Sequence, residues 1–401
     1  MTGNSRIGKT VRPIFSPAIY LLNRIGFTGK FALLWLVSLV ATAVVVQSLF
    51  ASLNQTIHIS QRELQGLALV EPVSRTVQLL QQHRGISAAL LGGNETMQNK
   101  LATMEKEAID AFDAMEGALP PRLTSGKAFL NIRAAWQQLL KEGLQQTADK
   151  NFAAHTSLIE QITSFRVLIA DDFGLMTDNE ITTYYLIDTM INKYPHALEH
   201  LGQLRAYGTS ILSAKKITQQ QKIKLHNLIA ELGGTLHELS ANIEKTSRYN
   251  LMVRESLETA NIQIKESAEK ITSRMASDIL SGKFATPADN FLDIATEAID
   301  HGYAQIYQVL LPVAGNIIGE RIARAETTLY LSIGIALLLL LLAVYISASI
   351  YYATIGSIRS LVDSAHAFAG GDLSQRVRLN THDELSLVGD SFNKMADGLY
   401  A

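Results

Sequence analysis

One stretch of this sequence, Leu79–Gly93, combines residue types that could bind a small anion. Arg84 is followed directly by Gly85, and Ser87 lies three residues beyond the arginine. Small side chains leave space beside a long cationic one, and the planar guanidinium offers a fork of donors that matches a planar oxyanion two bonds at a time. The spacing therefore predicts a ligand pocket lined by Arg84, Gly85 and Ser87.

A second arginine with small neighbours follows later in the same region. Arg205 precedes Tyr207 and Gly208, and aligning it with the first arginine gives a weak internal repeat. If the two halves of the region are equivalent, Arg205, Tyr207 and Gly208 form a second wall of the ligand site. Arg133 and Arg166 are further candidates for its walls.

The first arginine also has a structural interpretation. Buried charges in proteins are usually paired or hydrogen-bonded. Arg84 could therefore form an ion pair with a carboxylate of the same helical bundle, such as Glu63 or Asp110. From the residues alone this pairing is the favoured role, and the ligand-binding role stays open beside it.

Composition excludes several kinds of chemistry. The chain has no cysteine, which removes disulfides, thiolate metal sites and cysteine nucleophiles. Its net charge of -2 gives no footprint for nucleic acid. The segment His196-Ala-Leu-Glu199-His200 matches the H-x-x-E-H zinc pattern, but no third ligand can be assigned. We therefore expect a protein that is not an enzyme and that uses no metal and no other cofactor.

The elements that must position these residues lie between two long apolar segments. Residues 31–53 and 328–352 carry no formal charge, and each segment exceeds the roughly 20 residues that a helix needs to cross a bilayer. The first segment could instead be a long signal peptide, but the apolar part of such a peptide usually has about 7–15 residues and no small-residue cleavage site follows. We predict two transmembrane helices, with the lipid bilayer as a partner.

Basic residues set the expected orientation of the chain. Residues 1–30 contain no acidic residue but carry Arg6, Lys9, Arg12, Arg24 and Lys30. Such a segment is retained in the cytoplasm. With two spans, residues 54–327 are then periplasmic and residues 353–401 return to the cytoplasm. The expected location is the bacterial inner membrane, with both termini inside.

Between the spans the sequence has the periodicity of helices. Apolar residues recur three and four apart without sustained strand alternation, and turn residues such as Gly92-Gly93-Asn94 and Thr177-Asp178-Asn179 mark breaks. The pattern predicts an all-α fold of two stacked four-helix bundles. The last helix has no strong breaker before the second span, so we expect it to run into the membrane with a kink at Pro312. The predicted helices are 56–91, 95–118, 123–146, 150–175, 179–213, 218–247, 250–280 and 287–327.

The segment 353–401 shows a helix–connector–helix pattern directly after the second span. Steps of three and four between apolar residues predict coiled-coil packing of both helices. The pattern resembles a HAMP domain, which implies a parallel homodimer that switches between two packings and passes a signal on. Ser357 stands where HAMP domains commonly have proline, so the first helix is expected to continue smoothly from the span. The residues that carry the pattern are Ile358, Leu361, Phe368, Gly371, Asp372, Asp383, Glu384, Val388, Phe392 and Met395.

The first arginine motif resembles the opening helix of the nitrate- and nitrite-sensing type of receptor domain. This resemblance implies an all-helical double four-helix bundle over residues 54–327, with arginines that hold the anion. A second stretch, 178–195 with 201–208, resembles sensor segments of bacterial methyl-accepting chemotaxis receptors. His83 stands where the sensing family usually has glutamate. The matching residues are Leu80, Gln81, Arg84, Gly85, Ser87, Ala88 and Leu90.

Together these features predict a homodimeric transmembrane receptor. It would sense a small extracytoplasmic ligand, with nitrate and nitrite among the candidates, and relay the signal through HAMP, with chemotaxis as the favoured output. One alternative is the sensor half of a histidine kinase or diguanylate cyclase whose catalytic domain is absent. Another is a structural membrane protein without a small ligand. Downstream signalling proteins are expected to act through an output domain that this chain lacks.

Overall fold

The computed structural model describes residues 7–177, 180–372, 374–381 and 383–400. It is 89% helical, and the described residues contain no strand. The predicted all-α fold is therefore confirmed. Arg6 of the basic tail and two residues of a predicted turn, Asp178 and Asn179, lie outside the described residues.

Thirteen α-helices occur in these described ranges. They are α1 (Ile7–Leu22), α2 (Phe27–Leu91), α3 (Met97–Ala118), α4 (Pro121–Thr124), α5 (Lys127–Glu142), α6 (Ala148–Asp172), α7 (Ile181–Asp188), α8 (Tyr194–Ala214), α9 (Gln219–Tyr249), α10 (Arg254–Arg274), α11 (Ala288–Gln305), α12 (Leu311–Ala369) and α13 (Glu384–Tyr400). The predicted break after α2 is present, and Gly93 turns there with a φ of +100°, which glycine adopts without strain. Two helices were not predicted: the single turn of α4, and α1 within the basic tail.

The chain divides into two compact units. We call Gln55–Ala325 the central unit, and residues 1–54 with 326–401 the terminal unit. Within the central unit, α3, α5, α6 and the part of α2 in this unit form a four-helix bundle. Its α2 and α6 run antiparallel, because His83 contacts His155 near one end and Gly66 packs on Phe173 near the other. The core of this bundle is rich in aromatic side chains, including Phe112, Phe129, Trp136 and Phe165.

In the second bundle of the central unit, α7 continues through a π turn into α8, and this rod packs with α9, α10 and α11. The core of the bundle is mainly leucine, isoleucine and alanine. Local chemistry fixes where these helices begin. The N–H of Gln221 donates to the hydroxyl of Thr218 (3.2 Å), and the Thr218 N–H donates to the Gln221 side chain (2.9 Å). This reciprocal capping box starts α9. The predicted pair of four-helix bundles is thus confirmed.

Three helical rods of the described central unit contain a π turn, at Thr189–Lys193, Met275–Leu280 and Ile306–Leu310. Two of these turns end two residues before a proline, Pro195 or Pro312. Proline lacks an N–H and its ring crowds the carbonyl four residues earlier, and a π turn accommodates both effects by taking in an extra residue. The chain therefore stays helical through both prolines, and the irregularity expected at Pro312 takes the form of a π turn just before it.

Two helices of the described chain are long and apolar enough to cross a membrane: α2, and the continuous rod Ala288–Ala369. Within the terminal unit, the ring of Phe31 packs edge-on against Tyr351 with centroids 5.9 Å apart. The start of the first apolar segment thus lies beside the end of the second, so the two run antiparallel. The helix passes through Ser357 without a break, which confirms its expected smooth continuation.

Candidate anion-binding site

The two predicted arginines lie side by side where α2 and α8 approach closely. A Cβ atom added at Gly85 would lie 3.3 Å from Nε of Arg205, and one added at Gly202 would lie 3.1 Å from Nη2 of Arg84. Each guanidinium therefore lies over a glycine of the other helix. The sequence placed Arg84, Gly85 and Arg205 in one site, but Gly202 was missed.

Arg84 is fully buried and its charge is paired. It donates to both carboxylate oxygens of Glu199, at 2.6 and 3.2 Å, and to the hydroxyl of Thr156 at 3.0 Å. The expectation of a carboxylate partner was right in kind, but the expected partners Glu63 and Asp110 were wrong. Glu63 instead accepts a hydrogen bond from an arginine of α12 at 2.9 Å, and α8 is the helix that brings a carboxylate to Arg84.

Arg205 is fully buried as well, but among the described residues it donates only to neutral acceptors. These are the carbonyl oxygen of Gln81 at 2.7 Å and the hydroxyl of Thr296 at 3.0 Å. Burial lowers the pKa of Arg205 to about 10, and the charge of Arg84 acts in the same direction. Arg205 is still protonated at neutral pH, and the carboxylates of Asp300 and Glu199 act on it electrostatically, although neither accepts a hydrogen bond from it among the described residues.

Gln81 connects the groups of this site. Its amide nitrogen donates to Glu199 at 2.8 Å, and its amide oxygen accepts from the hydroxyl of Tyr303 at 3.1 Å. Burial raises the pKa of Tyr303 well above its usual value, which keeps this hydroxyl a donor. Gln81 and Glu199 were both present in patterns noted in the sequence, but their pairing was not foreseen.

The other predicted ligand residues have different surroundings. Ser87 is fully buried, and its hydroxyl has no hydrogen-bond partner among the described residues. Tyr207 packs on Phe152 with ring centroids 4.5 Å apart, and the guanidinium of Arg84 lies over the same Phe152 ring. A Cβ atom added at Gly208 would lie 2.4 Å from the ring of Phe291, so this glycine lets α8 pack closely on α11.

The two further candidate arginines do not share this site. Arg133 forms a partly exposed ion pair with Glu116. Arg166 is fully buried elsewhere on α6. Glu199 of the H-x-x-E-H pattern is hydrogen-bonded to Arg84, and no group of three or more histidine and carboxylate side chains that could hold a metal ion occurs in the described ranges.

The connector of the HAMP-like segment is held against its second helix. Asn393 donates to the carbonyl oxygen of Val377 at 2.8 Å and accepts from the Val377 N–H at 2.7 Å. Phe392 contacts Phe368 of the first helix, with ring centroids 5.6 Å apart. Two adjacent residues therefore have separate roles: Phe392 joins the two helices, and Asn393 holds the connector.

The acidic pair of this segment begins the second helix. Asp383 accepts a hydrogen bond from the N–H two residues further on, at 3.0 Å, and Glu384 places negative charge at the start of α13. At the end of the first helix, Gly371 turns the chain with a φ of +101°. Asp372 then accepts from the N–H of Ser374 at 3.2 Å.

The predicted coiled-coil positions are only partly covered within one chain. Ile358 and Leu361 are half-buried, whereas Val388 and Met395 are 53% and 50% exposed. Apolar residues at heptad positions favour a partner helix on this face.

Comparison with known protein families gives a match for the central unit and for the C-terminal segment. Residues 75–309 match the family described as nitrate and nitrite sensing, and residues 350–401 match the HAMP domain. Among solved structures, the chain is similar to the NasR transcription antiterminator, with 13% identity over 90% of this chain and 94% of that chain and a TM-score of 0.42. A comparison with curated proteins finds no match. The two matched domains are signalling modules without catalytic activity, and with the two candidate membrane helices they indicate a bacterial transmembrane sensor.

Proposed function

Because the chain belongs to the nitrate and nitrite sensing family, we propose that its central unit binds nitrate or nitrite between α2 and α8. Arg84 and Arg205 supply the positive charge, and Gly85 supports their close approach. The proposed ligand set is the one predicted from the sequence: Arg84, Gly85, Ser87, Arg205, Tyr207 and Gly208.

The observation that carries this proposal is that Arg205 is buried without a hydrogen-bonded counter-charge among the described residues. This side chain is fully buried, and the acceptors that it contacts are neutral. The Nε atoms of Arg84 and Arg205 have no acceptor among the described residues. Asp300 and Glu199 act on Arg205 electrostatically without accepting its hydrogen bonds, and a small monovalent anion in direct contact would balance the charge and use these free donors.

Glu199 suggests how binding could change the site. Its two oxygens occupy the fork of Arg84, and nitrate presents a similar fork of oxygens. Nitrate would therefore compete with Glu199 for Arg84. Displacing the carboxylate would release Gln81 and Gln203, which donate to it at 2.8 and 2.7 Å. Ligand binding would in this way alter the contacts that join α2 to α8.

Calorimetric titration tests the proposal on the full chain in lipid nanodiscs. Nitrate and nitrite should bind at constant ionic strength, with gluconate as the balancing anion. Arg205→Met should weaken binding by about 10- to 100-fold, because a charge-assisted hydrogen bond contributes about 1.5–3 kcal/mol. Arg133→Met is the matched control, since this arginine is paired with Glu116 near the surface. Equal binding by wild type and Arg205→Met would contradict the proposal.

The proposed topology has residues 54–327 in the periplasm and both termini in the cytoplasm. The basic, acid-free stretch 1–30 supports it. The chain has no cysteine, so single cysteines can report the side of the membrane. Met252→Cys, at a side chain that is 92% exposed, should react with a membrane-impermeant maleimide in intact cells. Lys394→Cys, at an exposed position of α13, should react only after the cells are opened.

A homodimer is the proposed state for signal relay. The exposed positions Val388 and Met395 would pack against a second copy of the segment in a four-helix coiled coil. Two packings that differ by a few kcal/mol suffice for a switch. Phe368 and Phe392 join the two helices of one chain, so truncating either to alanine should lock the output regardless of ligand. Normal ligand-dependent signalling by both variants would contradict this relay.

Chemotaxis is the proposed output, supported by the resemblance of residues 178–195 and 201–208 to chemotaxis receptors. A fusion of residues 1–401 to the kinase-control region of a chemotaxis receptor should make kinase activity depend on nitrate. Parallel fusions to the catalytic regions of a histidine kinase and a diguanylate cyclase test the alternatives. Control by nitrate in only one of those two fusions would favour that output instead.

A further inference from the structure

The central unit contains another buried arginine, Arg166, which does not belong to the site described above. Arg166, on α6, is fully buried. None of its three guanidinium nitrogens has a hydrogen-bond acceptor among the described residues. Burial lowers the pKa of Arg166 to about 10, so the group is still charged at neutral pH. An unpaired buried charge of this kind calls for a counter-charge.

The register of two helices separates Arg166 from the first site. Arg84 donates to Thr156 at 3.0 Å across the antiparallel pair α2 and α6. Arg166 lies ten residues beyond Thr156, level with Ser74, which lies ten residues before Arg84. Ten residues of helix rise about 15 Å. The two arginine positions are therefore about 15 Å apart along the helix axes, too far for one small ion to touch both.

The groups that act electrostatically on Arg166 supply no negative charge. Tyr303 and Tyr307 act on it electrostatically, and burial raises the pKa of both, so both remain neutral phenols. Their hydroxyls donate to glutamines of α2, each at 3.1 Å. His196 of α8 also lies within range, and burial followed by the charge of Arg166 lowers its pKa, which keeps it neutral.

A second unsatisfied donor lies at the same level. Ser74 is fully buried, and its hydroxyl has no partner among the described residues. Arg166 and Ser74 together offer N–H and O–H donors at one level of the helix pair. A donor set of this kind, with one net positive charge, matches a small anion that carries a single negative charge. A divalent anion would bring a surplus charge into the same buried space.

We propose that Arg166 and Ser74 form a second buried anion site, which binds a small monovalent anion of the halide or nitrate class. This site is independent of the proposed nitrate contacts at Arg84 and Arg205. Tyr307, which acts on Arg166, belongs to the π turn Ile306–Leu310 that leads into α12. An anion at Arg166 would therefore stabilise the surroundings of that turn.

Thermal unfolding of the full chain in detergent tests the second site. The midpoint is measured at constant ionic strength while gluconate is replaced by bromide, chloride or nitrate, in wild type, Arg166→Met, Arg205→Met and the control Arg133→Met. A saturating anion should raise the midpoint by about 3 °C. We expect the bromide effect to persist in Arg205→Met and Arg133→Met and to disappear in Arg166→Met.

The outcomes distinguish the two sites. A bromide effect that is lost in Arg205→Met and kept in Arg166→Met would overturn the second site while leaving the nitrate proposal intact. A nitrate response that is reduced but not abolished in Arg205→Met, beside a bromide response lost in Arg166→Met, supports both. If Arg166→Met does not unfold cooperatively, Arg166→Lys replaces it, and a reduced but measurable bromide effect is expected because one donor group remains.

Anomalous diffraction gives a direct second measurement that does not depend on a variant. Crystals of the wild-type full chain grown with bromide should show a scattering peak at hydrogen-bonding distance from the guanidinium of Arg166. Ordered water alone at this position would overturn the proposal. A bromide peak found only on the protein surface would be an adventitious ion only, and it would overturn the proposal as well.

Discussion

Arg84, Arg166 and Arg205 are fully buried in the central unit, while Val388 and Met395 of the HAMP segment expose about half of their surface. The first region thus places charge where water is absent, and the second leaves apolar side chains where water is present. Both arrangements are costly in an isolated chain. This difference underlies the two proposals made above, an anion at the buried arginines and a second copy of the chain at the exposed seam.

The largest expected effect comes from removing the carboxylate partner of Arg84. Glu199→Gln leaves this guanidinium buried without a counter-charge, so the free energy of unfolding should fall by about 3 to 5 kcal/mol. Denaturant unfolding of the detergent-solubilised chain measures it. The control is Glu238→Gln, because Glu238 pairs with Lys193 but is 60% exposed, so solvent screens the pair and the expected loss is much smaller.

Nitrate should stabilise wild type and Glu199→Gln to different extents. In the Glu199→Gln variant the fork of Arg84 has lost its charged competitor, so nitrate should stabilise the variant more than it stabilises wild type. The control variant Glu238→Gln should respond to nitrate as wild type does. Equal nitrate stabilisation of wild type and Glu199→Gln would contradict competition between nitrate and Glu199.

Acid should weaken the central unit through its buried histidine pair. Nδ1 of His83 lies 2.7 Å from Nε2 of His155. Burial lowers the pKa of His83 from 6.5 to about 4 and lowers that of His155 as well. Because the unfolded chain binds protons below pH 6.5 and the folded chain does not, stability is retained above pH 6.5 and falls towards pH 4. For His83 alone the loss is about 3 kcal/mol.

The pH dependence is measured by thermal unfolding between pH 8 and pH 5. His83→Gln should flatten it, while His301→Gln should leave it unchanged, because His301 is 68% exposed. The charged groups that face the pair are Glu105, which lies 3.8 Å from His83, and Arg84, which acts on His155. An unchanged slope in His83→Gln would contradict the assignment to this pair.

A smaller effect is expected from tight helix packing. In Gly208→Ala the new Cβ atom would lie 2.4 Å from the ring of Phe291, which forces a shift and should cost about 1–3 kcal/mol. Gly234→Ala is the matched helical control, because no atom lies within 4 Å of its added Cβ and alanine favours a helix by about 1 kcal/mol. Chemical unfolding of both variants should therefore give changes of opposite sign.

The smallest effect on unfolding is expected on the exposed seam. Val388→Ser should change the free energy of unfolding of one chain by less than about 0.5 kcal/mol, because the side chain is already 53% exposed. It should nevertheless lower the dimer fraction measured by analytical ultracentrifugation. Lys394→Ser, on an exposed position of the same helix, is the control. An undiminished dimer fraction in Val388→Ser would contradict the proposed seam.

The helices of the central unit could be predicted because their signals are local. Apolar periodicity and turn residues such as Gly93 and Thr218 act over a few positions, and the structure places helix ends close to them. The π turns could not be predicted in the same way. Although Pro312 marked one of the places, neighbouring helices decide whether a chain breaks or stays helical at a proline.

The candidate site was predictable only in part. Arg84 and Arg205 attracted attention because long cations with small neighbours are unusual within a helix, and the structure brings them together. The partner Glu199 is 115 residues away from Arg84 in sequence, and which carboxylate reaches a buried arginine depends on helix packing. Arg166 had only a weak claim, because nothing near it in the sequence reveals that it would be buried without an acceptor.

The π turn Ile306–Leu310 has a consequence for the long helix that follows it. A π turn contains one residue more than an α-helical turn. If this turn became regular α-helix, every later residue of the rod up to Ala369 would rotate about the helix axis and move along it by the amount of one residue. One step of an α-helix is about 100° of rotation and 1.5 Å of travel. A change in a single turn would thereby re-aim all the side chains of the helix that enters the coiled-coil segment.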